Sequence, residues 1–168
     1  MLRASILTAG VWLGFLAASW AMATVNFRTA ERVAGPQAGA EVAARLAPIP
    51  AADRRLVLRH LASEINRWMF RAWSAVQIGL GLALLALAWR LGGAPRALAG
   101  AALLLALVQA FSLAGWIVSV GRGIDFLPRP LPPDVARRFG LLHGAYVLAD
   151  LAKAAALVAL SIVLLRRP

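Results

Sequence analysis

The sequence contains no cysteine, which excludes disulfides, thiolate metal sites and a cysteine nucleophile. Acidic side chains are scarce: seven Asp and Glu stand against 18 Lys and Arg, a formal net charge of +11. Lysine occurs once, at Lys153, and histidine only at His60 and His143. Charged residues amount to 15% and hydrophobic ones to 61% of the 168 positions, where a soluble domain carries about 25% and about 45–50%. An ordinary soluble globule is thereby excluded. In a soluble chain the surplus of arginine would suggest nucleic acid. Here the charges crowd between long apolar runs, so the expected partner is the lipid bilayer, with positive loops on an anionic surface and no nucleic acid. No phosphate loop, catalytic triad, deaminase or dinucleotide motif is present, and no catalytic residue is assigned. The expectation is a chain that is not an enzyme.

What the sequence has in abundance is lipid-compatible length. A bilayer core about 30 Å thick needs about 20 apolar helical residues. Four stretches meet this: 4–27, 72–89 between Arg71 and Arg90, 97–121 between Arg96 and Arg122, and 139–165 between Arg138 and Arg166. None alternates as a strand would, and helices satisfy their backbone internally, as lipid demands. The expected architecture is all-α, a single transmembrane domain over 1–168. It is an integral membrane four-helix bundle with helices near 4–27, 52–90, 96–121 and 136–166. Arg3, the first apolar run and Ala21-Met22-Ala23 also imitate a signal peptide, but the run exceeds the usual core of about 7–15 residues. It carries Gly10 and Gly14, a small-xxx-small spacing suited to close helix packing. The retained helix is the favoured reading, and these glycines make other membrane subunits or a homo-oligomer plausible partners.

The first loop is the long one, rich in Ala, Gly and Pro over 34–50, with Pro48-Ile49-Pro50 opposing any helix there. Beyond it Val57, Leu58, Leu61, Ile65, Trp68 and Met69 recur at helical spacing opposite Arg55, Arg59, Ser63, Asn66 and Arg67. This is a basic amphipathic helix in the interface, running into the second span; a solvated helix packed on its own bundle is the alternative. Gly92-Gly93-Ala94-Pro95 forms a tight turn, and Pro128, Pro130, Pro132 and Pro133 stiffen the third loop. The termini and the 90–96 turn hold five arginines, loops one and three twelve. The positive-inside rule therefore puts those loops in the cytoplasm, whereas the signal-like first helix argues the reverse.

Ionisable groups at membrane depth are costly and tend to mark function. His143, Tyr146, Asp150 and Lys153 step by three, four and three residues, so they share one helical stripe. If about 20 residues ending at Leu165 span the core, Asp150 lies roughly 6 Å below the boundary at about 1.5 Å per residue. Arg71 stands at the mouth of the second span, and Gln77 about 9 Å deeper at the same rise. A polar pocket of His143, Tyr146, Asp150, Lys153, Arg71 and Gln77 is geometrically permitted. The plainer reading is a charge pair that only neutralises itself and fixes helix register. Gln109 and Ser112, deeper on the third span, suit interhelical hydrogen bonds. The tryptophans fall mostly near segment ends, as interfacial anchors do. His60 lies roughly 16 Å of helix before Arg71, which disfavours a bis-histidine heme. One His and one Asp form a thin metal set, so no metal is assigned, with His143 the lone candidate.

Val11-Trp12-Leu13-Gly14 in the first span, and Phe139-Gly140-Leu141-Leu142-His143-Gly144-Ala145-Tyr146-Val147-Leu148-Ala149-Asp150-Leu151 opening the fourth, resemble the transmembrane protein 205-like family. The Phe-x-x-Leu-His turn is the specific part, carried by Phe139, Leu142 and His143, and the hydropathy profile fits nearly the whole chain. The resemblance implies a small four-helix protein, in bacteria of the inner membrane, without an established activity. It also implies a distant relation to copper-resistance D proteins and to a heme-binding membrane protoporphyrinogen oxidase. That relation keeps heme through His143 among the alternatives, with no cofactor as the primary expectation. The long Arg-rich first loop and Asp150 depart from the family pattern. Three functions remain: an accessory or partner-binding bundle, a small-molecule or ion handler using the fourth-span pocket, and a heme or metal protein.

Overall fold

A computed structural model describes residues 1–167. Helix α1 covers Leu2–Ala34, α2 Ala40–Leu46, α3 Ala51–Trp89 and α4 Gly93–Val108. After α4 the same rod widens into one π-helical turn, Gln109–Leu113, and continues as α5, Ala114–Ile124; α6 is Pro133–Leu165. Four rods are long and apolar enough to cross a membrane, namely α1, α3, α4 with α5, and α6, and no strand occurs among the described residues. The protein is an all-α, four-helix membrane bundle. Its outward surface fits that solvent: Leu7, Leu82, Leu104, Phe111 and Leu148 are all exposed, Phe111 by 79%. That much exposed apolar surface, spread along every rod, is foreign to a soluble monomer.

Local chemistry explains the helix ends. Proline opens α6, where a fixed φ and a missing N–H do no harm, and Asp134 in the first turn complements the helix dipole. Pro50 precedes α3, which carries Asp53 in its first turn. The turn between α3 and α4 needs Gly92, whose φ of +90° suits glycine alone. The first loop is less irregular than its composition suggests. Between Gly39 and Pro48 the sequence offers Ala, Glu, Arg and Leu, all good helix formers, and they make α2. The amphipathic stretch forms the first half of α3. At 39 residues and about 1.5 Å per residue, α3 is about 58 Å long, roughly twice the thickness of a bilayer core.

The rods form a ring in which α1 packs on α3 and α6, α3 on α4, and α4 on α6. Around the end that holds the 90–96 turn, the interior is apolar apart from Ser5, whose hydroxyl donates to the Met1 carbonyl. Trp12, Leu16, Leu84, Leu157, Leu160 and Leu164 meet Ala99, Ala102 and Ala106. The three alanines sit at helical spacing on α4 and let its backbone approach its neighbours. Arg167 donates to the Leu91 carbonyl and ties the last turn of the chain to that turn. The tightest approach falls at Gly81, where an added Cβ would stand 2.8 Å from Leu103 Cδ1 and 2.9 Å from Trp12 Cη2. Gly10 and Gly14, expected at a helix contact, face outward with nothing within 4 Å of such a Cβ. Trp12, two residues from each, turns inward, and helical geometry rotates the glycines to the other side.

Gly81→Leu is expected to destabilise the bundle by about 1–3 kcal/mol through overpacking, read by equilibrium unfolding in detergent micelles. Gly10→Leu should leave the same midpoint within about 0.5 kcal/mol, as surface changes do.

Candidate functional site

Midway along the bundle, one turn above the apolar core, the interior becomes polar. Lys153 of α6 is fully buried, and its ammonium lies 2.8 Å from Asp150 Oδ1. It also donates to Gln77 Oε1 of α3, which accepts a further bond from Trp12 Nε1 of α1 at 3.3 Å. Asp150 accepts from Gln109 Nε2 at 3.0 Å and from Trp20 Nε1 at 3.0 Å. Gln109, at the start of the π turn, donates as well to the Tyr146 carbonyl at 2.8 Å. Side chains from all four rods thus converge on one carboxylate and one ammonium. Hydrogen bonds to ionised groups are worth about twice neutral ones, and they offset the desolvation that would otherwise forbid the pair.

Of the residues expected to line a pocket, the structure brings together Gln77, Asp150 and Lys153, with Tyr146 beside them through its carbonyl. It leaves out two. Arg71 is exposed on the outside of α3, because six residues separate it from Gln77 and turn it to another face. His143 is exposed one turn from Tyr146 and stacks on Phe139, centroids 6.0 Å apart and planes 10° apart. The group is a knot of direct bonds in which Gln109 Oε1 is buried without a partner, and the open cleft nearer loops one and three does not reach into it. Trp12 and Trp20, expected as interfacial anchors, are two of its donors, to Gln77 and to Asp150; no pattern in the sequence marks these long-range pairings. Gln109 makes the interhelical bonds expected of it, and Ser112 makes no side-chain bond among the described residues.

Toward the end formed by loops one and three the bundle is held by ions. Arg67 of α3 is buried and grips Asp125, just past α5, with Nη2 at 2.8 and 2.7 Å from the two carboxylate oxygens. It also binds Glu64 one turn back on α3. His60 Nδ1 lies 2.9 Å from Asp125 Oδ2. Gly121 faces this arrangement, where a Cβ would stand 3.4 Å from Arg67 Nη2, at contact distance. The ligand atoms of His60, Glu64 and Asp125 lie within 4.8 Å of one another, a grouping close enough for a divalent cation. The Arg67 guanidinium, however, already bonds to both carboxylates, and Arg122 stands 3.9 Å from Glu64, so a cation would have to displace arginine. The cluster is an ion-pair lock between α3 and α5. On α1, Asn26 donates to Asn66 at 2.6 Å, and Glu31 meets Arg59 at 3.3 Å.

Beside this lock the four rods part to leave an open cleft of about 420 Å³. Arg59, Arg67 and Arg129 stand on it, Asn66 and His143 line its flank, and Phe27, Phe70 and Phe139 form much of its apolar wall. Its floor adjoins the polar knot, for the Phe70 ring meets that of Tyr146 edge-on at 5.5 Å. Comparison of the chain with family models, curated proteins and solved structures finds no match.

Lys153→Met strands a buried carboxylate and is expected to cost about 3–5 kcal/mol. Combining it with Asp150→Asn removes the charge and should restore most of that loss, as read by equilibrium unfolding of both variants in micelles.

Proposed function

We propose that the protein is a non-enzymatic accessory bundle of a membrane, which binds another membrane subunit or a second copy of itself. The observation that carries this reading is the closure of the polar knot. Asp150 and Lys153 are the ionisable pair at membrane depth, and each spends its bonds on neighbours of the same chain. A carboxylate so engaged is not free to bind a substrate, relay a proton or hold a metal. The plainer of the two roles foreseen for it, fixing the register of the helices, is the one this geometry favours.

A second feature bears on the partner. Val57, Leu61, Ile65 and Trp68 lie on one face of α3, in the half preceding its apolar run, and all four are exposed, Trp68 by 66%. Large apolar side chains in such a row favour a protein or lipid neighbour. The likeness to the transmembrane protein 205-like family and the arginine asymmetry support placing the protein in a bacterial inner membrane, with loops one and three in the cytoplasm.

Chemical cross-linking in native membranes tests the reading. The wild-type chain is expected in a species larger than a monomer, and Leu61→Glu with Ile65→Glu is expected to reduce that species at least tenfold without changing the unfolding midpoint. A wild-type chain found only as monomer would overturn it. So would loss of a transport or resistance trait in a stably folded Asp150→Asn, Lys153→Met double variant.

A further inference from the structure

The open cleft lies where amphiphiles lie. Its lower wall comes from the ends of apolar runs: Phe27 closes the first, Val118 belongs to the third, and Phe139 opens the fourth. Its upper rim comes from residues outside those runs, Arg59 on the forward half of α3 and Arg129 in the loop before α6. The cleft therefore straddles the boundary between hydrocarbon and headgroups, apolar below and cationic above.

The rim charges differ in how far they are already satisfied. Arg67 is consumed by Asp125 and Glu64. Arg59 has one exposed partner, Glu31 at 3.3 Å, and a pair so exposed is worth little. Arg129 makes no ion pair among the described residues, and its guanidinium is pushed below the usual arginine value by partial burial and then by the positive charge of Arg59, with Asp125 pulling the other way. Two guanidiniums thus repel each other beside a cleft whose single acid, Asp125, is bonded to Arg67 and offsets that repulsion only in part. An anion between them would relieve the repulsion, and the planar donor fork of arginine suits a phosphate oxygen pair.

We infer that this cleft binds a phosphate-bearing amphiphile, its phosphate between Arg59 and Arg129 and its apolar chain against Phe27, Phe70 and Val118. The shared chemistry is an anionic phosphate. The apolar lower half, opening at membrane level, selects an anionic phospholipid from the bilayer over a free phosphate from solution. The knot below closes the cleft, so the lipid is held at the rim and does not traverse the bundle.

The test uses the full chain in nanodiscs of equal phosphatidylglycerol and phosphatidylcholine, transferred to mild detergent and read by native mass spectrometry. The expected result is retention of about one phosphatidylglycerol per chain. Arg59→Gln with Arg129→Gln should lower that retention at least tenfold, and both positions are exposed enough to leave folding intact. Val118→Trp, which fills the apolar half and spares both arginines, should lower it comparably. Inorganic phosphate at millimolar concentration should not displace the lipid. Equal retention of the two lipids, or undiminished retention in the double arginine variant, overturns the inference. Complete displacement by inorganic phosphate also overturns it, assigning the rim to a free anion. Unchanged retention in Val118→Trp overturns the placement of the chain.

Discussion

A single ammonium–carboxylate pair, Lys153 with Asp150, governs how these helices can sit against one another. An isolated charge at the centre of a bilayer costs about 2.5–3.5 kcal/mol even on insertion scales. Neither residue is tolerable without the other, nor the pair without donors and acceptors for its remaining valences. Those are supplied by Trp20 on α1, Gln77 on α3 and Gln109 at the π turn, with Trp12 donating in turn to Gln77. Apolar packing alone lets helices slide or rotate with little penalty in lipid, because the tails are as greasy as the side chains. A knot that works in one register removes that freedom for every rod at once.

Around that knot the bundle divides into three levels. Below, alanines of α4 and leucines of α3 and α6 pack without a polar atom, and Gly81 permits the closest approach. Above, the guanidinium of Arg67 locks α3 to the residue after α5, and the rods part enough to leave a cleft. The surface left available for encounters lies at the end where loops one and three emerge.

Much of this was legible in the sequence. Length and apolar runs specified the four rods, because lipid allows few other solutions. The i, i+3, i+4 stripe of Tyr146, Asp150 and Lys153 placed those residues on one face, and Gln77 was placed at the right depth. Two assignments failed for different reasons. Arg71 was grouped with the stripe by depth alone, and depth without azimuth does not bring side chains together; His143 shares the stripe of Tyr146 but stands a turn nearer the loops, where it is exposed. Gly10 and Gly14 match a packing motif, yet the contact falls at Trp12 between them, and the glycine at a true close approach, Gly81, has no motif to mark it. The ion lock joins His60 and Arg67 to Asp125 across about 60 positions, a pairing that helical periodicity cannot foresee. Nor does any residue type announce a π turn.

That wide turn has a further effect. Each residue of an α-helix advances the side chains by about 100°, and a π turn accommodates one residue more than an α turn. The buried positions of the third rod run Ala99, Ala102, Ala106 and Gln109, then resume at Gly121 and Ile124. Three uninterrupted α turns from Gln109 would point Val120 inward. The extra residue shifts the phase so that Gly121, which has no side chain, meets Arg67. One surplus residue in the middle of a rod thus lets its two halves obey different neighbours, apolar on one side and ionic on the other, without a break in the helix.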